Sequence, residues 1–314
     1  MAVTTAHKLY AIDVNTVGVG AAYDVFIDQI SQWGLAPDIV EMVLGGDGAV
    51  DATFAALQTQ DPKLSWSTSK LATVLATIGI SGLKIAADVD ELGLRAWLQK
   101  IDEGGTIASG SVHTLLTVKE GIIVPRQLTA NNESAILTME AIASWDGTND
   151  PIIVTANQAL VGTPSVSEFF VVGKVALNGT TINGVQSVTI DFGLQVVALR
   201  GDGSQWPTFV FIQARRPSIS ITTLDTSVLA TFGLGGIAQS ATDSVIYLRK
   251  VAEGGTRVAD ATPEHISFSV DEGRISTRSI GGSDGPPLAA EILVTPTYGG
   301  SNAVIAISTA TAIT

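Results

Sequence analysis

Apolar and polar residues alternate with a period of two through most of this chain, and short clusters of Gly, Asp, Asn and Pro break the alternation. That pattern predicts half-buried strands between turns. Residues 209–213 and 218–222 read as strands around Arg215-Arg216-Pro217, and 245–249, 265–270, 274–278 and 291–294 follow. Earlier in the chain 115–118, 135–139 and 152–155 have the same character. Asp271-Glu272-Gly273 reads as a hairpin turn, because Gly accepts the positive φ that tight turns need. Two short stretches switch to helical spacing. Leu71, Val74, Leu75 and Ile78 predict one helix, with Ser67, Thr68 and Ser69 as candidate caps and Gly79 as its stop. Asp225 as cap, Val228, Leu229 and Phe232 as buried face and Gly233 as stop predict a second. A third helix is expected over 89–102, with Leu92, Trp97, Leu98 and Ile101 inward and Gly104-Gly105 ending it.

The pattern occurs twice. Leu44-Gly45-Gly46-Asp47-Gly48, followed by Thr53-Phe54, returns as Leu199-Arg200-Gly201-Asp202-Gly203, followed by Thr208-Phe209. Gln58, Pro62, Ser65 and Thr68 recur as Gln213, Pro217, Ser220 and Thr223 at the same offset of 155. Val74-Leu75-Ala76-Thr77-Ile78-Gly79 then returns as Val228-Leu229-Ala230-Thr231-Phe232-Gly233. A period of this size is that of a domain, not of a solenoid unit. The expected architecture is mainly β: two tandem, homologous β-sandwich or barrel domains, 1–158 and 159–314, each with a short flanking helix. Aligning Val118 and Glu120-Gly121 with Val251 and Glu253-Gly254 makes some 21 residues, including the third helix, extra in the first copy. The join falls at 158–167, where Gly162-Thr163-Pro164-Ser165 is too short to let the halves roam.

Composition adds little chemistry. Only 15% of residues are charged, below the roughly 25% of ordinary soluble domains, which suits a protein in permanent contact with its own kind. The net charge is −13, and the first half carries more of it: 18 acids against 8 bases in 1–158, and 12 against 9 in 159–314. An acidic surface does not hold nucleic acid by counterion release, although it can surround DNA without gripping it. There is no cysteine, which leaves no disulfide framework and no thiolate metal site. Neither a secretory signal nor an apolar run long enough for a bilayer stands out, so a cytoplasmically made product with no membrane partner is expected.

No constellation reads as catalytic. His7, His113 and His265 lie far apart without metal-ligand spacing, and the alignment above gives His113 and His265 no equivalence. Gly18-Val19-Gly20 with Tyr23 lacks the third glycine and the βαβ setting of a dinucleotide loop. Gly46-Asp47-Gly48 with Asp51 suggests a calcium loop, but Trp206 stands where the second copy needs the second carboxylate, so turns are expected. Asp88, Asp90 and Glu91, with Asp102 and Glu103, are the carboxylates a glycosidase would need; at the ends of the expected third helix they read as helix-end residues. The five tryptophans, Trp33, Trp66, Trp97, Trp145 and Trp206, make no local stacking platform, and Asn178-Gly179-Thr180 is a formal glycosylation sequon. No catalytic, cofactor-binding or metal residue is assigned, no cofactor is expected, and the chain is not expected to be an enzyme.

A duplicated β-domain without an active site gains from fusion chiefly in building rings. In its duplicated L-x-G-D-G…T-F…P…T…V-L-A-T-x-G module, its strand content and the Asp271-Glu272-Gly273 turn, the chain resembles the tail tube proteins of long-tailed bacteriophages. That resemblance implies a virion tail protein made in the host cytoplasm. It implies trimeric, pseudo-hexameric rings that stack into a conduit for DNA ejection. Tape measure, baseplate or terminator proteins would be its partners, and DNA would pass the lumen without specific binding. A capsid decoration or baseplate ring protein and a carbohydrate-binding adhesive tandem are the alternative readings.

Overall fold

The computed structural model describes residues 5–15, 25–44, 51–52, 54–85, 93–239, 243–281, 288–300 and 303–314. Among them the chain is mainly β, with two short helices. The first half runs β1 (Thr5–Val14), β2 (Val25–Ile27), β3 (Ile30–Ala36), β4 (Ile39–Leu44), β5 (Phe54–Gln60), β6 (Lys63–Thr68), α1 (Leu71–Thr77), β7 (Leu83–Ile85), β8 (Leu94–Asp102), β9 (His113–Val118), β10 (Glu120–Asn131), β11 (Ala135–Ser144) and β12 (Ile152–Gln158). The second half runs β13 (Phe170–Leu177), β14 (Thr180–Ile182), β15 (Val185–Asp191), β16 (Leu194–Leu199), β17 (Phe209–Arg215), β18 (Ser218–Thr223), α2 (Val228–Phe232), β19 (Ile237–Ala238), β20 (Ser244–Lys250), β21 (His265–Val270), β22 (Gly273–Gly281), β23 (Ala289–Pro296) and β24 (Ala306–Thr311).

One five-stranded sheet has the order β12-β9-β8-β1-β2, and a second has the order β24-β21-β20-β13-β14. Between them a long sheet runs β3-β6-β11-β10-β15-β18-β23-β22-β19, with β7 also paired to β10. The ribbons β4-β5 and β16-β17 stand apart from all three. Each strand of the second half thus takes the place of the strand twelve before it, and all the pairings are antiparallel. The layers are sandwich-like. Alternating residues of the first five-stranded sheet (Ile12, Leu94, Ala96) and of the long sheet (Leu64, Leu137, Met139) are fully buried in one core that continues into the second half. Burying a side chain of this size stabilises by roughly 1.5–3 kcal/mol, so period-two alternation decides which face of each strand turns inward.

The strands expected from alternation are present, and so are both predicted helices, each stopped by a glycine with left-handed φ, 67° at Gly79 and 66° at Gly233. The caps differ from expectation. Lys70 and Ser227 occupy the N-cap positions without side-chain cap bonds; Thr68 Oγ1 accepts from Lys70 N at 3.0 Å, and Asp225 Oδ1 from Ser227 N at 3.1 Å. The third helix is overturned from residue 94 onward. Residues 94–102 form β8, paired on one side with β1 and on the other with β9; residues 89–92 lie outside the described residues. Two ladders of backbone hydrogen bonds outweigh a helical spacing that Leu98 and Ile101 had suggested.

This strand also corrects the alignment. The turn after β8 bonds Gly105 N to Asp102 O, and the turn after β20 bonds Gly255 N to Ala252 O, both at 3.0 Å. Isolated bridges Ile101↔Ile107 and Val251↔Arg257 close the same two loops. Glu103-Gly104-Gly105 therefore corresponds to Glu253-Gly254-Gly255, and the 21-residue insertion disappears. Asp271-Glu272-Gly273 is not a hairpin either, because β21 and β22 belong to different sheets. The chain crosses the sandwich there, and Gly273 (φ 153°) is needed because a Cβ would come within 2.4 Å of Thr295 O. Gly121 does the same at the crossing from β9 to β10, where a Cβ would meet Ile142 O at 2.1 Å.

Candidate assembly interface

Three of the contacts that join the two halves are each built from local sequence. The first is a ladder. β10 is twelve residues long, enough to pair with β7 through Gly121, Ile122 and Ile123 and then with β15 through residues 127–131. Leu128 lies opposite Ile190 and Ala130 opposite Val188, all four at 0% exposure. A register shift at Arg126 separates the two stretches. The displaced Arg126 side chain pairs with Glu140 and donates from Nη1 to Leu194 O at 2.6 Å.

The second contact is the β16–β17 ribbon, which lies on the outer face of β10 and β11. Val196, Val210 and Ile212 pack against the core there. Gly82 leaves room for it: a Cβ would stand 3.1 Å from Val124 Cγ1 and 3.2 Å from Ile212 Cδ1. The loop at the ribbon's end clasps the first half. Gln60 N donates to Gln205 O at 2.9 Å and Trp145 N to Pro207 O at 2.7 Å. Trp206 Nε1 donates to Gln60 Oε1 at 3.2 Å, Arg200 pairs with Asp61, and the Trp145 and Trp206 rings lie 6.0 Å apart. Two tryptophans far apart in sequence thus form a contact that no local pattern signals.

The third is the connecting segment, pinned along its length. Tyr10 donates to Gly162 O at 2.9 Å, Ser165 N to Asp28 Oδ2 at 2.7 Å, and Gln29 Nε2 to Glu168 O at 2.9 Å. The Glu168 carboxylate then caps α1, accepting from Ala72 N at 2.7 Å and Thr73 N at 3.1 Å. α1 in turn packs against β24 of the second half.

Both ends of the long sheet are open among the described residues. At one end β3 pairs with β6 alone. At the other, β19 covers only Arg274 and Ile275 of β22, leaving residues 277–281 with an open side. The registers of β3 on β6 and β15 on β18 match residue for residue, which sets Leu35 in the place of Ile190. The registers of β10 on β11 and β22 on β23, each with its shift at an arginine, set Ile280 in the place of Leu128. Leu35 is 40% and Ile280 36% exposed, against 0% for Leu128 and Ile190. Ribbon β4–β5 is likewise open: Ile39 is 49% exposed where its counterpart Leu194 is 6%.

The residues weighed as chemistry fall elsewhere. His113 and His265 are buried and do occupy corresponding positions, which corrects the sequence alignment. Lys100 N donates to His113 Nδ1 at 3.0 Å and Lys250 N to His265 Nδ1 at 3.1 Å, so each imidazole ties the first residue of one strand to its neighbour. Burial, with His7 and Lys100 nearby, lowers the His113 pKa from its ordinary value. Asp102 and Glu103 are exposed at the turn after β8, while Asp47, Asp88, Asp90, Glu91, Gly18, Gly20 and Tyr23 lie outside the described residues. Gly201-Asp202-Gly203 is a turn, with φ of 51° at Asp202 and 71° at Gly203. Asn178 and Gly179, with φ of 47° and 77°, turn the β13–β14 hairpin. Among the described residues no group of three His, Asp or Glu is placed to hold a metal ion, and no helix is long and apolar enough to cross a membrane. Asp13 is a buried acid with a network: it pairs with Arg95 at 2.8 Å and accepts from Trp97 Nε1 at 2.9 Å, and burial raises its pKa against those partners. No protein-family model matches the chain, and comparison with curated proteins gives no match.

Proposed function

We propose that this chain is a structural subunit that joins head to tail with copies of itself into closed rings. Stacked rings of this kind would form the tail tube of a long-tailed bacteriophage and let its DNA pass. The observation that carries the reading is the buried Leu128↔Ile190 pair and the fate of its counterparts. Ile280 and Leu35 sit on opposite free edges, apolar and open, in the positions that would pair if a second copy were added at either end. An edge contact that joins unlike ends is heterologous and propagates until rotation closes it. Closure removes the exposed edges that would otherwise recruit strands at random. Reading the halves 1–158 and 159–314 as tandem copies, a ring of three chains holds six similar units. The excess of acids in the first half suits a lumen that does not grip phosphate.

The absence of native cysteine makes the test clean. The Leu35→Cys/Ile280→Cys variant carries one thiol on each open edge. Under mild oxidation it is expected to give covalent oligomers that stop at one ring size, and negative-stain microscopy of the unmodified protein is expected to show hollow rings or tubes. A chain that stays monomeric at high concentration and forms no intermolecular disulfide would overturn the proposal and favour a monomeric adhesive or decorating protein.

A further inference from the structure

The free ribbon β4–β5 has a built-in template for its own docking. Its register, with the shift between Val40 and Glu41, matches that of β16–β17, with the shift between Gln195 and Val196. Ile39, Glu41 and Leu57 therefore hold the places of Leu194, Val196 and Ile212. In the second half those three residues are buried or half-buried against β10, whereas Ile39, Glu41 and Leu57 are exposed. We infer that ribbon β4–β5 docks on the outer face of β22 in a second copy of this chain, with Glu41 seated between Arg274 and Arg278.

The surface it would meet has changed to suit it. Alternation along β10 turns Ile122 and Val124 toward the ribbon, and Arg126 reaches it from the register shift. The corresponding residues on β22 are Arg274, Ser276 and Arg278. On β10 the ribbon contact is apolar, with Val196 packed against the core and Ile212 and Val124 both beside Gly82; Glu41 over Arg274, Ser276 and Arg278 would be its charged equivalent. Both sides of the substitution agree, which an unpaired surface has no reason to do. Arg278 is 62% exposed and held in place by Glu291 at 3.1 Å, as Arg126 is held by Glu140. Ser220 donates to that Glu291 carboxylate at 2.8 Å, and its pKa is lowered by this bond first, with Arg278 adding to it. Arg278 is thereby pre-oriented, with donors left over for the ribbon. Ile39 and Leu57 supply the apolar area, which a monomer gains nothing by exposing.

The pairing also selects its partner. Glu41 over Ile122 and Val124 would lose hydration and meet one cation, Arg126, already paired with Glu140, instead of two, so a first-half ribbon is directed to a second half and the order of halves around the assembly is kept.

This inference rests on the ring reading, and its test separates the two. Assembly of the unmodified chain, of Glu41→Arg, of Arg278→Glu and of the double variant is followed by analytical ultracentrifugation at low and high salt. Glu41 and Arg278 are exposed, so folding is preserved. Either reversal is expected to weaken assembly by about tenfold or more at low salt, and the double variant to recover most of that loss. High salt should narrow the differences. Assembly of Glu41→Arg at native strength, or a double variant no better than the worse single, overturns the ribbon contact. If the Leu35→Cys/Ile280→Cys rings still form in that case, the ring reading stands without it; if no oligomer of any kind forms, both fall.

Discussion

Removal of the Glu168 carboxylate tests how far the connecting segment supports the first half. α1 has seven residues, no acidic residue in its first turn and no side-chain cap of its own. Its first free N–H groups, Ala72 and Thr73, depend on Glu168, ninety-odd residues away. Loss of a cap costs roughly 0.5–2 kcal/mol, and loss of a negative charge at a helix N-terminus roughly 0.3–1 kcal/mol more. Glu168 is half-buried, so solvent screens its charge less than it would at a fully exposed site. Glu168→Ala is therefore expected to destabilise by about 1–2 kcal/mol, and Glu168→Gln, which keeps an acceptor but not the charge, by about half as much. Urea unfolding gives the free energies, and amide hydrogen exchange at Ala72 and Thr73 reads the local effect. Because α1 packs on β24, faster exchange should extend into the last strand. An alanine variant within about 0.3 kcal/mol of the native protein, with unchanged exchange at those two amides, would refute the reasoning.

His113 accepts through Nδ1 and its pKa is lowered in the folded chain, so the unfolded chain takes up its proton first. Its contribution is fully present above the ordinary histidine range near ~6.5 and is lost as pH falls through the lower folded value. His113→Gln should flatten the pH dependence of the urea midpoint in that window, and an unchanged slope would count against the assignment. Gly273→Ala should destabilise by about 2 kcal/mol or more, because strain at positive φ adds to a Cβ pressed on Thr295 O. Gly255→Ala, where a Cβ meets nothing within 4 Å, is expected to lose less; equal losses would remove the close approach as the cause. Asp13→Ala removes the ion-pair partner of the mostly buried Arg95 and leaves Trp97 Nε1 without its acceptor, with an expected cost of about 3 kcal/mol by thermal or urea unfolding. A cost below about 1 kcal/mol would show that the network contributes little.

The sequence by itself determined nine of the strands, both helices and the correspondence over 44–79 and 199–233. Side-chain alternation and glycine stops are local properties, and each strand carries them whatever it pairs with. Where two long-range ladders compete with a local spacing, the local signal loses: Trp97, Leu98 and Ile101 look helical in sequence, yet lie in a central strand. The equivalence of His113 and His265 was hidden for the same reason, since only strand registers set Glu103-Gly104-Gly105 against Glu253-Gly254-Gly255. Nothing in the sequence marks Trp145 and Trp206 as partners or Glu168 as the cap of α1, because those contacts join segments tens of residues apart. Tertiary structure alone decided which of two similar edges is covered. Leu35 and Ile190 have the same character in sequence, and only the pairing of β10 with β15 buries one and leaves the other open.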